Sequence, residues 1–140
     1  MKPFLLDVNV LIALAWPEHV AHERVGSWFA RHSRAGWVTS PFTEAAFVRI
    51  LSNPAFSPNA LTPTSALIVL KRNVGLPTHR FWADSISLAE AMGGLSCRLT
   101  GHQQVTDAYL IALAMHNGGK VATLDSRMKQ LGQDAVEVVP

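Results

Sequence analysis

Five short apolar runs alternate with segments of helical pattern along the chain, and this alternation limits the possible folds more than any other feature. The predicted strands are residues 3–6, 37–39, 80–82, 120–124 and 136–139. The predicted helices are residues 8–15, 18–34, 41–51, 63–74, 87–92 and 104–116. Short strands that alternate with helices are typical of a parallel sheet. We therefore predict an α/β fold with a compact, mainly parallel β-sheet flanked by helices on both sides.

The length and composition indicate one globular domain, expected to span residues 1–140. Two domains of about 70 residues each would struggle to bury a core, and an apolar fraction of 49% is typical of a packed interior. A single cysteine, Cys97, excludes an intramolecular disulfide framework. No apolar run reaches the ~18–20 residues that a membrane span needs, and Asp7 interrupts the apolar start too soon for a secretory signal. We expect a cytoplasmic protein without membrane contact.

Four acidic side chains fall where predicted strands end or where helices begin. Asp7 closes the first strand and Asp125 a late one, whereas Glu44 and Asp107 lie in the first turns of two helices, on their apolar faces. Each alone has an ordinary explanation, because a helix N-terminus favours a nearby carboxylate. The carboxyl ends of parallel strands share one edge of the sheet, however, and ligands of such sheets bind beyond that edge. We therefore expect the four carboxylates to meet there.

A cluster of carboxylates predicts a particular kind of ligand. Carboxylates within ~4–6 Å of one another repel and raise each other's pKa unless a cation neutralises them. A set of oxygen ligands without histidine or cysteine suits Mg²⁺ or Mn²⁺ better than Zn²⁺. The sequence therefore predicts a site for a hard divalent cation.

Four motifs built around these acids resemble, in their order, the motifs of the PIN domain. They are FLLDVNVLI at residues 4–12, TEAA at 43–46, TDAYL at 106–110 and TLD at 123–125. Within that family, the chain is most similar to the VapC-type toxins of bacterial toxin–antitoxin pairs, and the resemblance extends over nearly the whole sequence. It implies a PIN-like fold.

The resemblance also implies an activity, that of a Mg²⁺-dependent endoribonuclease. Such an enzyme hydrolyses phosphodiester bonds of RNA, typically transfer RNA or ribosomal RNA. Asp7 and Asp107 would be the principal metal ligands of the catalytic site, and Glu44 and Asp125 would complete its acidic pocket directly or through water. Mn²⁺ can substitute for Mg²⁺ at sites of this type.

Supporting residues and partners follow from the same resemblance. Asn9 and Thr123 occupy positions that usually orient the acids, so we expect them to hold the metal ligands from behind. A toxin of this type requires a cognate, VapB-like antitoxin protein, whose C-terminal segment blocks the acidic groove. Members of the family usually form homodimers.

The charge that remains outside the pocket favours an RNA substrate. Setting aside four of the ten acidic residues leaves six, against twelve basic ones. A basic exterior around an acidic pocket suits a polyanion that is held by its backbone. The candidate phosphate contacts are Arg31, Arg34, Lys71, Arg72, Arg80, Arg127 and Lys129.

Four further side chains carry predictions of their own. His102 precedes the helix of Asp107 and is a candidate substrate contact, whereas Asp84 follows a predicted strand but belongs to none of the four motifs. Trp28 lies on an apolar helix stripe and Trp37 in a predicted strand, so we expect both rings to pack in the core rather than to stack on bases.

Two other functions are compatible with parts of the pattern. A phosphatase of the haloacid-dehalogenase type also begins with an aspartate after its first strand, but it requires an acid two residues later, where this chain has Asn9. The second alternative is a catalytically silent PIN-like module that only binds RNA or protein. Such modules usually lack one or more of the acids, and the presence of all four favours catalysis.

Overall fold

The computed structural model describes residues 1–93 and 99–140, so Cys97 lies outside the described residues. The elements in chain order are β1 (Phe4–Leu6), α1 (Val8–Ala15), α2 (His22–His32), β2 (Trp37–Thr39), α3 (Pro41–Leu51), α4 (Pro63–Val74), β3 (His79–Phe81), α5 (Leu88–Met92), α6 (Val105–His116), β4 (Lys120–Thr123), α7 (Ser126–Gly132) and β5 (Val136–Val138). The predicted strands and helices are confirmed to within a few residues, with two exceptions. Helix α2 begins later than residue 18, because the chain makes tight turns around His19 first, and the sequence analysis does not predict α7.

The five strands form one parallel sheet in the order β3-β2-β1-β4-β5. Strand β1 lies at the centre, with β2 on one side and β4 on the other. The chain therefore adds β2 and β3 on one side of β1 first, and β4 and β5 on the other side later. The carboxyl ends of β1 and β4 flank the point where this direction changes, which is where parallel α/β sheets bind ligands.

Helices cover both faces of the sheet, as the sequence predicts. Alternate residues of each strand point to opposite faces: Phe4 and Leu6 belong to one buried cluster with side chains of α1–α4, whereas Leu5 belongs to another with side chains of α6 and α7. Trp28 and Trp37 are 2% and 3% exposed, so the predicted packing of both rings is confirmed. No helix among the described residues is long and apolar enough to cross a membrane.

Polar caps fix where the helices begin at the carboxyl edge of the sheet. The carboxylate of Asp7 accepts a hydrogen bond from the backbone N–H of Val8 and so caps α1. Ser40 and Thr43 form a reciprocal capping box at the start of α3, where Pro41 supplies a favourable first residue. These caps set α1 and α3 directly after the ends of β1 and β2.

Candidate active site at the carboxyl edge

Three of the four predicted acids lie near one another at the carboxyl edge, beside the ends of β1 and β4. Asp7 follows β1, Asp125 follows the end of β4 at Thr123, and Asp107 lies in the first turn of α6. Their charges act on one another. The pKa of Asp107 is raised from 3.8 to about 6, chiefly by burial and then by the negative charges of Asp7 and Asp125.

Asp7 is the most deeply placed of these acids, with only 7% of its surface exposed. One carboxylate oxygen accepts from the N–H of Val8 at 2.8 Å. The other accepts from the hydroxyl of Thr123, also at 2.8 Å. Burial raises the pKa of Asp7, the two hydrogen bonds oppose that rise, and the charge of Asp125 adds to it. The carboxylate is thus fixed in position but poorly solvated, which a bound cation would relieve.

Asn9 and Thr123 hold Asp7 against β4. The Thr123 hydroxyl, which donates to Asp7, accepts from the Asn9 side-chain amide at 3.3 Å and from the N–H of Asp125 at 3.0 Å. The Asn9 carbonyl oxygen in turn accepts from the N–H of Leu124 at 3.1 Å. This network joins the start of α1 to the end of β4, so the two strand-end aspartates keep a fixed spacing.

Asp125 differs from the other two aspartates because a cation of the chain already neutralises it. Two nitrogens of the Arg127 guanidinium lie 3.2 Å from its two carboxylate oxygens. The same carboxylate caps α7 by accepting from the backbone N–H of Arg127 at 2.9 Å. The hydrogen bonds from Arg127 lower the pKa of Asp125. The Arg127 side chain is 82% exposed, so it is free to exchange this partner for a phosphate.

Glu44 lies one strand further along the same edge, at the end of β2. It is half-buried in the first turn of α3, where one carboxylate oxygen accepts from the hydroxyl of Thr39 at 2.6 Å. The Thr39 oxygen is also 2.8 Å from Nε2 of His79 on β3. Neither Thr39 nor His79 is among the functional residues predicted from the sequence. Their contact depends on the pairing of β2 with β3. Only a prediction of which strands are neighbours could have indicated it.

A polar cleft of about 480 Å³ opens beside Asp107 and Asp125. It is lined by Thr100, Gly101, His102, Gln103, Gln104, Asp107, Asp125, Arg127, Met128 and Leu131. His102, predicted as a substrate contact, is an exposed residue on its wall. The cleft joins acidic, amide and apolar groups, a mixture that suits a nucleotide with its charged phosphate and flat base.

The donor set fits a hard cation with few direct protein ligands. In the described parts of the chain, no group of three or more His, Cys, Asp or Glu side chains has an arrangement that could hold a metal ion. Mg²⁺ is commonly bound by only one or two carboxylates and keeps several waters until substrate phosphates join it. Asp7 and Asp107 offer such a pair, because each is penalised by burial and neighbouring charge.

Several predicted basic contacts lie away from this edge. The Arg80 side chain packs over Gly36, just before the amino end of β2. Lys129 donates to the carbonyl of Val136 at 2.7 Å, at the amino end of β5. Arg127, by contrast, lies at the acidic cluster, where its guanidinium binds Asp125. Asp84 lies at the carboxyl edge and is largely exposed. Partial burial raises the pKa of its carboxyl group, and a hydrogen bond from Ser40 opposes that rise.

Comparisons with known proteins agree with this architecture. Residues 4–133 match the family model described as PIN domain. Ribonuclease VapC39 of Mycobacterium tuberculosis is 44% identical over 124 residues, which cover 89% of this chain and 89% of that protein. Ribonuclease VapC38 of the same species is 42% identical over 129 residues, covering 92% and 89%. A solved structure of DNA-bound VapBC from Salmonella typhimurium shares the fold, with a TM-score of 0.70 and 16% identity over 100% of both chains.

Proposed function

Because the chain belongs to the PIN-domain family, as a relative of the VapC ribonucleases, we propose that it is the toxin of a type II toxin–antitoxin pair. Its activity is that of an endoribonuclease that hydrolyses phosphodiester bonds of transfer or ribosomal RNA. The observation that carries this proposal is the meeting of Asp7, Asp107 and Asp125, where like charge and burial raise the pKa of Asp107 to about 6. Asp7 and Asp125 also cap helices, but the burial and mutual repulsion of the three carboxylates oppose folding, and a bound cation would relieve both.

In the proposed site, Asp7 and Asp107 would hold Mg²⁺ or Mn²⁺, and Asp125 and Glu44 would complete the acidic pocket directly or through water. The cation, when bound, supplies an acidified water and neutralises charge on the scissile phosphate. Thr123 and Asn9 hold Asp7 in the geometry that it needs as a ligand. Such supporting contacts typically change metal affinity or activity 10–100-fold when they are removed.

The RNA strand would enter through the cleft beside Asp107 and Asp125. Arg127 is exposed at its wall, where it can transfer its guanidinium from Asp125 to a phosphate as the RNA arrives. His102 and the neighbouring glutamines face the same space and offer hydrogen-bonding groups to a base. The cleft thus supplies the substrate contacts and the aspartates supply the chemistry.

The proposal includes partners and a setting. A VapB-like antitoxin would neutralise the enzyme by occupying the acidic groove, as the name VapBC of the solved relatives suggests. We further propose that residues 1–140 act as one domain, in a cytoplasmic homodimer. Both hydrophobic clusters pack on the same sheet, which supports a single folding unit.

Cleavage of structured RNA by the purified protein, free of antitoxin, tests the proposal. We expect cleavage with Mg²⁺ or Mn²⁺, none with EDTA, and a rate at least ~10²-fold lower for Asp107→Asn. The matched control is Asp134→Asn, which changes an exposed aspartate near the amino end of β5 and should cut like the wild type. A folded wild type that binds RNA but does not cut it with either metal would refute the enzyme and favour the silent binding module.

A further inference from the structure

A second polar network lies behind Glu44, one strand away from the aspartates. The Thr39 hydroxyl oxygen is 2.6 Å from a carboxylate oxygen of Glu44 and 2.8 Å from Nε2 of His79. Thr39 itself is fully buried, with 0% of its surface exposed. Its hydroxyl has these two groups as hydrogen-bonding neighbours in place of bulk water, which does not reach it.

The chemistry of the three groups fixes the direction of the hydrogen bonds. Thr39 has one hydroxyl proton, and the ionised carboxylate of Glu44 can only accept. The contact to Glu44 is the shorter one and is charge-assisted, so it takes the proton. The Thr39 oxygen must then accept from His79, which requires the ring to carry its proton on Nε2.

The packing of His79 fixes where its ring lies. Its centroid lies 4.7 Å from that of Trp37, whose ring is buried. The register of the sheet pairs these two residues directly across β2 and β3. Burial lowers the pKa of His79, whereas the charge of Glu44 and a hydrogen bond from the ring to the backbone of Val74 raise it. A proton on Nδ1, directed to Val74, would leave Nε2 as an acceptor and turn the Thr39 proton away from Glu44.

We propose that His79 is a positioning residue: by donating from Nε2 to Thr39, it directs the Thr39 hydroxyl to Glu44 and holds that carboxylate at the active-site edge. The inference deepens the proposed function, on which the role of Glu44 rests. His79 does not line the cleft, and Thr39 is the hydrogen-bonded link between its ring and Glu44.

The orientation of the network can be measured without any activity. Nitrogen-detected NMR of the wild type near pH 7.5 should show His79 as the Nε2–H tautomer, and Thr39→Val should change its signals. A neutral ring protonated on Nδ1 would overturn the inference, whether or not the protein cuts RNA. An Nε2–H ring in a protein that cuts no RNA would instead refute the proposed function, leaving the hydrogen-bond assignment in place.

Four substitutions then test the effect on catalysis. His79→Phe and Thr39→Val keep the approximate shape but remove a hydrogen-bonding group, and each should lower kcat about 10–100-fold while leaving KM for RNA within about 2-fold. Because both act through one pathway, the double variant should be no slower than the slower single one. His79→Gln and Thr39→Ser, which retain a donor and a hydroxyl, should recover most of the rate.

A matched control separates positioning from packing. His32 is also a half-buried histidine stacked on a tryptophan, with its ring 4.9 Å from that of Trp28, and it lies on α2 away from the acids. His32→Phe should leave kcat unchanged. His79 would have no positioning role if His79→Phe cut RNA at the wild-type rate. The same would follow if the fold-decrease in kcat of the double variant equalled the product of the decreases in His79→Phe and Thr39→Val.

Discussion

Replacing Asp107 with asparagine should stabilise the metal-free protein while it abolishes cleavage. Burial and the charges of Asp7 and Asp125 disfavour the ionised form of Asp107, which is why its pKa is raised to about 6. An asparagine has nearly the same shape and carries no charge. The variant therefore loses the repulsion and keeps the packing of α6.

The size of the effect follows from the pKa. A rise from 3.8 to about 6 corresponds to roughly 3 kcal/mol. Asp107 is only half-buried, so solvent screening reduces this figure, and we expect Asp107→Asn to gain about 1–2 kcal/mol at pH 7.5. For a chain of this length, the corresponding rise in Tm is about 3–7 °C.

The pH dependence gives the prediction a definite sign. Between pH 3.8 and about 6, the folded protein binds the Asp107 proton more tightly than the unfolded chain does. The stability of the wild type relative to Asp107→Asn should therefore fall as pH rises through this interval. Below it both states are protonated and the gap should close, whereas above it the gap should be constant.

Thermal or urea unfolding in EDTA from pH 4 to pH 8 measures this gap. The control is Asp134→Asn, whose exposed side chain lies near the opposite edge of the sheet and should leave Tm within about 1 °C of the wild type. If Asp107→Asn melted at or below the wild-type temperature at pH 7.5, or if the gap did not depend on pH, the electrostatic account of the cluster would be wrong.

Three further predictions follow from the same contacts. Thr123→Val removes the hydroxyl that binds Asp7, so urea unfolding should show a loss of about 1–3 kcal/mol, and the cleavage rate should fall 10–100-fold. Gly119→Ala would bring a methyl group to 2.7 Å from the carbonyl oxygen of Pro3, so the variant should lose about 1–3 kcal/mol of folding stability. In Gly26→Ala, the added carbon meets no atom within 4 Å. That variant should therefore gain about 0.5–1 kcal/mol of stability from the better helix former in α2. Mg²⁺ should raise the Tm of the wild type in a concentration-dependent way, but raise that of Asp107→Asn much less, in scanning calorimetry.

Local patterns are enough to predict most of the elements and the position of the aspartates. Helices α1 and α4 have the predicted bounds, because each follows a capping residue and ends where its apolar pattern ends. Asp7 and Asp125 follow strands that are almost entirely buried, so the sequence indicates both where those strands end and which edge they share. Parallel strands bring both residues to one edge of the sheet, and the pairing of β1 with β4 then makes them neighbours.

Contacts that depend on strand order could not be predicted in this way. His79 reaches Thr39 only because β3 pairs with β2, and the three residues of β3 are mostly exposed, so its sequence carries little apolar signal. Helix α7 begins with a cap on Asp125, a residue that the sequence pattern assigns to the acidic pocket rather than to a helix start. Glu44 follows β2 rather than β4, so the order of the sheet places it beside His79, one strand away from Asp7.

The most direct test of the central claim is the single-turnover rate of RNA cleavage by the wild type and by Asp107→Asn, each purified without antitoxin, in Mg²⁺ and in EDTA. The aspartate site predicts cleavage by the wild type in Mg²⁺ alone and a loss of at least ~10²-fold in the variant, which should melt at a higher temperature without metal. Equal rates from the two folded proteins in Mg²⁺, or undiminished cleavage by the wild type in EDTA, would contradict it.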